Sequence, residues 1–438
     1  MIESKIRLGT ARVATVGLGY VGLPLALLCS RAGYSVLGVD RDREKVAAID
    51  SGKSYVTGVT DAELQSCLSE QRLTVSPDIT LCGECDVVLI SVQTPLSADG
   101  GPDYGPLLSA VQSVSENMRG PQLVIVESTV GPGTMEREVR PLLTRENRKV
   151  GVDFLLGYSP ERLDPGNEQF DLGNTTRLVS GVTGRCREAT QQFYQYLGIP
   201  TVVVSCPAVA EMAKLLENAY RDVNVAFINE MARICAANRI DIWEVTSAAA
   251  TKPYGFSAFH PGPGVGGHCI PVDSVYYLEW ARQTGHLAPL AEMARAVNRS
   301  MPGYTLNLIE ESLAREGKNL SGSEVLCLGV TYKRDVDDVR ESPSLKLMEL
   351  LLARGARVAF CDPFFNRVLV GNVLLQGVNL EDRVLSEADC VVLAVDHSQF
   401  DPAHLAARCS LLVDLTGVTF RAGVHSDSVV RLFGGNTG

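Results

Sequence analysis

A cysteine in a glycine-rich segment points most directly to chemistry in this chain. Cys269 lies within GPGVGGHCIPVD, which runs from Gly262 to Asp273, and a dinucleotide-binding fingerprint stands near the start of the chain. A thiolate adds to an aldehyde, and the thiohemiacetal formed can be oxidised to a thioester that water cleaves. Cys269 and a nicotinamide site together therefore predict a two-step, four-electron oxidation of an alcohol to an acid.

The fingerprint G-x-G-x-x-G is formed by Gly17, Gly19 and Gly22, between a predicted strand and a predicted helix. The first glycine permits a tight turn, the second lets backbone approach a pyrophosphate, and the third packs helix on strand. Asp40 ends the next predicted strand, where a carboxylate binds ribose hydroxyls and repels a 2′-phosphate. This favours NAD over NADP, although the neighbouring Arg41 could accommodate that phosphate.

Two polar residues share one face of a predicted long helix. Lys214 and Asn218 are four residues apart, so they are neighbours on a helix surface. Together they could stabilise an alkoxide or a tetrahedral oxyanion, or they could simply form a solvated helix face. Asp273 follows Cys269 by four residues and could orient a water or hold Lys214.

Two further candidates follow predicted strands, where α/β sheets place their ligands. Glu161 in YSPERLDPGN is a candidate for activating a hydrolytic water, and Thr129 in ESTVGPGT offers a hydroxyl. His268 is adjacent to Cys269, and adjacent side chains of an extended segment point apart. We therefore do not expect His268 to act as the base.

The chain alternates strands and helices at both ends. Apolar, β-branched runs predict strands over 12–16, 35–39, 87–92, 123–127 and 154–158. From residue 323 onward the segments SEVLCLGV, ARVAFCD, ADCVVLAV and CSLLVDL predict four more strands. Residues 207 to 238 predict one long helix, with Pro207 at its start and Asn238 at a left-handed stop. We predict an α/β protein in which two Rossmann-like doubly wound domains are joined by a central helical domain.

The bulk composition excludes several function classes. The net charge of −11 argues against a nucleic-acid-binding surface. The sequence has no long apolar run for a membrane span and no secretory leader, so we expect a cytoplasmic protein. The twelve cysteines should mostly be buried thiols. Cys82 and Cys85 form a single CxxC, and we predict no metal site.

The chain resembles the UDP-glucose/GDP-mannose dehydrogenase family over nearly its whole length. The resemblance rests on GLGYVG, ESTVGPGT, SPERLDPGN, AEMAKLLENAYRDVNVAFINE, GGHCIPVD and GVTYKRDVDDVRESPS. It implies oxidation of the C6 alcohol of a UDP-sugar by two NAD, in a homodimer or larger homo-oligomer. The implied domains are 1–205 for NAD binding, 206–318 for dimerisation and catalysis, and 319–438 for nucleotide-sugar binding.

The resemblance also implies residue roles. Cys269 would be the nucleophile, and Glu161 and Thr129 would serve hydrolysis. The oxyanion and water chemistry would fall to Lys214, Asn218 and Asp273. The cofactor contacts would be Gly17, Gly19, Tyr20, Val21, Gly22, Asp40, Arg41, Lys45, Thr94, Thr129 and Arg340. The sugar-nucleotide contacts would be Glu161, Arg162, Leu163, Lys214, Asn218, Phe259, His260, Gly262, Gly266 and Lys333.

The segments SPERLDPGN and FHPGPGVGGHCIPVD look most like the UDP-N-acetylglucosamine 6-dehydrogenase branch. That branch usually has proline where this chain has Ser274, and proline at Gln93. Some relatives also carry lysine at Val272 and glutamate at Pro165. UDP-N-acetylglucosamine is the expected substrate, with UDP-glucose and the N-acetylgalactosamine or N-acetylmannosamine epimers as alternatives. A non-catalytic cofactor-binding protein is the remaining alternative.

Overall fold

The computed structural model describes residues 2–164, 166–167 and 169–434, so the predicted contrast at Pro165 lies outside the described residues. The chain forms two compact units. One comprises the chain up to Glu217 together with Val275–Gly285, and the other comprises Asn218–Ser274 and the chain from His286 onward. The chain crosses between the two units after Glu217, after Ser274 and after Gly285.

The N-terminal unit contains one eight-stranded sheet. Its strands are β1 (Arg12–Val16), β2 (Ser35–Val39), β3 (Leu73–Ser76), β4 (Val87–Ile90), β5 (Leu123–Val126), β6 (Leu155–Tyr158), β7 (Arg177–Gly181) and β8 (Thr201–Val203). The order is β3-β2-β1-β4-β5-β6-β7-β8, with β6 and β7 antiparallel and the other pairs parallel. The order reverses between β1 and β4, and this is where such sheets bind ligands.

Helices cover both faces of that sheet. They are α1 (Ile2–Arg7), α2 (Gly22–Arg31), α3 (Arg43–Asp50), α4 (Asp61–Ser69), α5 (Gly105–Asn117), α6 (Arg140–Leu143) and α7 (Gly184–Tyr196). Alternate strand residues enter two separate cores. Leu123 and Ile125 pack in one, and Val124 and Val126 pack in the other. A strand buried on both faces is expected to be almost entirely apolar, which explains the runs VVLI and LVIV.

The second unit holds the rest of the long helix and a smaller sheet. Its helices are α8 (Pro207–Ala237), α9 (Ile242–Ala249), α10 (Cys269–Gln283), α11 (Pro289–Arg315), α12 (Pro343–Ala353), α13 (Asp382–Glu387), α14 (Pro402–Arg408) and α15 (Val418–Arg421), of which α8 and α10 are shared with the first unit.

The strands of the second unit form a parallel sheet and a hairpin. They are β9 (Glu324–Leu328), β10 (Arg357–Cys361), β11 (Arg367–Val370), β12 (Val373–Gln376), β13 (Cys390–Leu393), β14 (Leu412–Asp414) and β15 (Val429–Arg431). The five-stranded order β10-β9-β13-β14-β15 repeats the pattern β2-β1-β4-β5-β6 of the first sheet. The predicted similarity of the two ends of the chain is thereby confirmed.

The predicted fold class is confirmed, with small differences at element ends. Predicted strand 87–92 stops at Ile90, and the Val92 carbonyl accepts the Ser128 hydroxyl at 2.6 Å instead of extending the ladder. The prediction that Asn238 provides the left-handed stop is wrong. Arg239 has φ 57°, while the Asn238 amide donates to the Ile234 carbonyl at 2.8 Å.

Neither the long helices nor any other helix among the described residues combines the length and apolarity needed to cross a bilayer.

Candidate active site

The fingerprint turn between β1 and α2 has the backbone geometry that its glycines predict. Gly17 has φ 90° and donates its N–H to the Val39 carbonyl at 2.8 Å. A Cβ at Gly22 would lie 1.8 Å from the Gly17 carbonyl oxygen, so only glycine lets α2 start this close to β1. A Cβ at Gly19 would meet no protein atom within 4 Å. The turn therefore leaves open space beside Gly19 and fits a bound pyrophosphate.

Asp40 is held at the end of β2 by backbone donors. Its Oδ2 accepts the Leu18 N–H at 2.9 Å, and its Oδ1 accepts the Asp42 N–H at 2.9 Å. Tyr55 donates to the Leu18 carbonyl at 2.6 Å, and the Lys45 ammonium lies 5.8 Å from the centre of its ring. The structure thus brings the predicted cofactor residues Asp40 and Lys45 to the fingerprint turn.

Thr94 and Thr129 meet beyond the carboxyl ends of β4 and β5. The Thr94 hydroxyl donates to the Thr129 carbonyl at 2.8 Å. Tyr276 on α10 donates to the Thr94 carbonyl at 2.8 Å. Since β4 adjoins β1, these two predicted cofactor residues lie at the edge of the sheet where its strand order reverses.

Glu161 follows β6 and its carboxylate is oriented by three donors. Oε1 accepts the N–H groups of Arg162 and Leu163, each at 2.6 Å, and Oε2 accepts from Arg177 at 2.5 Å. A carboxylate offers about four acceptor sites, so these bonds leave room for a water. Arg162 itself pairs with Glu217 at 2.6 Å.

Sequence reasoning missed the buried ion cluster behind Glu161. Arg177 is 3% exposed and also pairs with Glu127, at 2.9 Å. Tyr194 donates to Glu127 at 2.6 Å. Burial raises the pKa of Glu127 despite the nearby Arg177. An arginine at the start of the mostly apolar strand RLVSG was the available signal, because a buried charge requires a partner.

Glu211 on α8 was also missed. It is fully buried, and its carboxylate accepts the N–H groups of Gly133 and Met135 at 2.5 and 2.9 Å. Burial raises its pKa to about 7. Glu211 therefore anchors the GPGT turn that follows Thr129 to the long helix.

The burial of Lys214 decides between the two alternatives for this residue, a role in a site and a place on a solvated helix face. Lys214 is 5% exposed, which excludes a solvated helix face, since lysine is almost never buried without a role or a partner. One turn later on α8, Asn218 donates to the Asp273 carboxylate at 2.5 Å, and Asp273 is 2% exposed. Cys269 is exposed and is the first residue of α10. That helix end favours an anionic side chain such as a thiolate.

The glycine-rich segment before Cys269 packs against the segment that carries Lys333 and Arg340. A Cβ at Gly266 would lie 2.7 Å from the Tyr332 Cβ. Gly267 has φ 83° and donates to the Arg340 carbonyl at 3.0 Å. These two glycines therefore permit a close approach that larger residues would prevent.

The turn at Lys333 and the loop of residues 258–262 are each fixed by side chains. We call this loop the sugar loop, because it carries predicted sugar-nucleotide contacts. The buried ring of His397 accepts the Asp335 N–H at 3.0 Å through Nδ1. In the sugar loop, Gly262 donates to Asn229 at 2.9 Å and His260 stacks on Trp243. Burial lowers the pKa of His260.

The structure divides the predicted residues between the two units. The N-terminal unit holds Gly17, Gly19, Tyr20, Val21, Gly22, Asp40, Arg41, Lys45, Thr94, Thr129, Glu161, Arg162, Leu163 and Lys214. The second unit holds Asn218, Phe259, His260, Gly262, Gly266, Cys269, Asp273, Lys333 and Arg340.

Three family models match the chain in order. They are the NAD binding domain of the UDP-glucose/GDP-mannose dehydrogenase family over residues 11–198, its central domain over 208–300, and its UDP binding domain over 326–421. The chain is 34% identical to a UDP-N-acetyl-D-mannosamine dehydrogenase of Pyrococcus horikoshii, covering 89% of this chain and 90% of that one. It is 32% identical to a UDP-N-acetyl-D-glucosamine 6-dehydrogenase of Salmonella typhi, with the same coverage.

The solved structure of the UDP-D-ManNAc dehydrogenase from Pyrococcus horikoshii superimposes with a TM-score of 0.87 at 30% identity. The superposition covers 97% of this chain and 100% of that one.

Proposed function

Since the chain belongs to the UDP-glucose/GDP-mannose dehydrogenase family and is an NAD-dependent oxidoreductase, we propose that it oxidises the C6 alcohol of a UDP-N-acetylhexosamine to the carboxylate. The observation that carries the sugar class is the similarity, over nine-tenths of the chain, to dehydrogenases of UDP-N-acetylmannosamine and UDP-N-acetylglucosamine. UDP-N-acetylglucosamine is the first substrate to test, because the SPERLDPGN and GGHCIPVD segments resemble that branch.

Cys269 is the proposed nucleophile. Its exposure and its place at the start of α10 suit a thiolate that must meet a substrate carbonyl. The thiolate adds to the C6 aldehyde and forms a carbon–sulfur bond. Loss of hydride from C6 then leaves a thioester, and water releases the acid and restores the thiol. NAD, when bound, accepts one hydride in each of the two oxidations.

The other proposed catalytic groups handle charge and water. Lys214 and Asn218 would donate to the C6 oxygen as negative charge develops. Asp273 orients the Asn218 amide through their 2.5 Å hydrogen bond. Glu161, with three donors fixing its carboxylate, would accept a proton from the water that cleaves the thioester. Thr129, beside Thr94, is the remaining hydroxyl proposed for this step.

We further propose that the protein is a homodimer built on α8. Three apolar side chains of this helix are 53–58% exposed at intervals of seven residues, namely Tyr220, Phe227 and Ile234. Such spacing places them in one stripe. Leu290 and Met293 on α11 are also exposed, at 70% and 63%. The three domains would keep the predicted boundaries 1–205, 206–318 and 319–438.

The test of the substrate class is a panel of UDP-sugars assayed for NADH release. Turnover should be fastest with one of the three UDP-N-acetylhexosamines, and the product should gain one oxygen and lose two hydrogens. Faster turnover of UDP-glucose would refute the proposed substrate class. NAD binding with no turnover of any nucleotide sugar would instead support a non-catalytic protein.

A pair of cysteine variants tests the nucleophile. Cys206 and Cys269 are both exposed, so Cys206→Ser is a matched control for Cys269→Ser. Acid formation should fall by at least about 10³-fold in Cys269→Ser and stay unchanged in Cys206→Ser. Full acid-forming turnover by Cys269→Ser would overturn the thioester route.

A further inference from the structure

A second hydrogen bond between α8 and α10 lies directly beside the Asn218–Asp273 pair. The Ser274 hydroxyl donates to the Asp222 carboxylate at 2.8 Å. Asp222 is one helical turn after Asn218, and Ser274 follows Asp273 in the chain. The two helices are therefore joined by two consecutive polar contacts, and the second includes none of the residues assigned to the reaction.

The second contact continues through the interior to the sugar loop. Asn298 on α11 donates to Asp222 Oδ1 at 2.7 Å, and its own Oδ1 accepts from Asn229 at 3.1 Å. Asn229 Oδ1 in turn accepts the Gly262 N–H at 2.9 Å. We call these four side chains, Ser274, Asp222, Asn298 and Asn229, the relay.

The relay is buried throughout. Its exposures are 1% for Ser274, 3% for Asp222, 5% for Asn298 and 0% for Asn229. Buried polar side chains without partners are costly, so each member depends on its neighbour. A buried carboxylate such as Asp222, with two side-chain donors, resists small displacements of either donor. The arrangement thus fixes the register of α10 against α8 and α11.

We infer that Ser274 and Asp222 are positioning residues, which hold the Asn218–Asp273 pair in register and couple it through Asn298 and Asn229 to the sugar loop. This inference rests on the proposed function for its kinetic consequence, whereas the structural coupling can be measured without turnover. The relay makes the position of the loop at Gly262 depend on the first turns of the helix that begins with Cys269.

Ser274→Ala is the first test. It removes one donor from Asp222 and creates little space. The kcat for the UDP-sugar should fall about ten-fold, with the KM for NAD unchanged because no member of the relay is a predicted cofactor contact. Ser312→Ala is the matched control: Ser312 is 2% exposed and donates to the Leu308 carbonyl of its own helix at 2.7 Å. Its kcat should equal that of the wild type.

Amide hydrogen exchange tests the coupling independently of activity. In Ser274→Ala, exchange in a peptide spanning 258–262 should accelerate several-fold relative to the wild type, and in Ser312→Ala it should not. Unchanged exchange in Ser274→Ala would overturn the relay even if kcat fell. If the wild type turned over no UDP-sugar but this exchange difference appeared, the proposed function would fail and the coupling would stand.

A double variant separates a relay from independent packing effects. Asp222→Asn keeps the side-chain shape but turns an amide toward one of the two donors. The kcat of the double variant Asp222→Asn/Ser274→Ala should be no lower than that of Asp222→Asn alone, since both substitutions disrupt the same chain of hydrogen bonds. If the fold-decrease in kcat of the double variant equalled the product of the fold-decreases of the two single variants, the inference would be contradicted.

Discussion

Glu211 should make the free energy of unfolding of the N-terminal unit depend on pH, and the substitution Glu211→Gln should remove that dependence. Its carboxyl is fully buried, and burial raises its pKa from 4.5 to about 7. Folding therefore favours the protonated form. The stabilisation that results is complete below pH 4.5 and is lost as the pH rises through 7.

The size of the effect follows from the shift. A tenfold change in an acid dissociation constant corresponds to about 1.4 kcal/mol, so raising the pKa from 4.5 to about 7 amounts to about 3 kcal/mol. Between about pH 5.5 and about pH 8.5 the part that is lost is about 2 kcal/mol. Glu211→Gln is neutral at every pH and should lack this part of the slope.

The assay is urea unfolding of the wild type and Glu211→Gln at those two pH values. The variant loses an acceptor for Gly133 or Met135 and should be less stable at low pH. From the lower to the higher pH, the free energy of unfolding of the wild type should fall by about 2 kcal/mol relative to that of Glu211→Gln. The stability advantage of the wild type should therefore shrink, or the variant should become the more stable protein. Glu138→Gln, at an exposed glutamate of the same segment, should follow the wild type. Equal pH dependence in Glu211→Gln and the wild type would refute the reasoning.

Three further changes test other parts of the structure. Arg177→Met removes the cation paired with the buried Glu127 and should cost about 3–5 kcal/mol of unfolding free energy; a urea titration showing less than about 1 kcal/mol would contradict the buried pairing. Gly22→Ala places a Cβ 1.8 Å from the Gly17 carbonyl oxygen, so calorimetry should show NAD binding weakened at least about ten-fold, with UDP binding retained. Phe227→Asp puts a charge in the exposed stripe of α8, and light scattering should find monomer where the wild type is dimer; a wild-type monomer would refute the proposed interface.

Local patterns in the sequence were sufficient to predict most of the fold. The runs RVATV and VVLI are mostly apolar because both faces of a parallel sheet are covered, so their strands could be placed within a residue or two. The fingerprint turn was also predictable from local sequence, since the tolerance of positive φ and the missing Cβ are properties of single glycine residues. The left-handed residue that follows α8, Arg239, could not be predicted, because neighbouring residues compete for one left-handed position.

Contacts between distant segments could not be predicted. Spacing placed Lys214 and Asn218 on one helix face but could not decide between solvent and interior, and only packing shows that Lys214 is buried. Arg177 and Glu127 are 50 positions apart and meet because β7 turns antiparallel onto β6. The relay from Ser274 to Asn229 joins three helices, and no periodicity in the sequence indicates which of their polar residues face each other.

The number of NADH molecules formed per UDP-sugar consumed tests the central claim most directly. A thiol that holds the C6 carbon between two hydride transfers predicts two NADH for each sugar, with a uronic acid as the product. One NADH per sugar, or an aldehyde or epimer as the end product, would contradict covalent catalysis by Cys269.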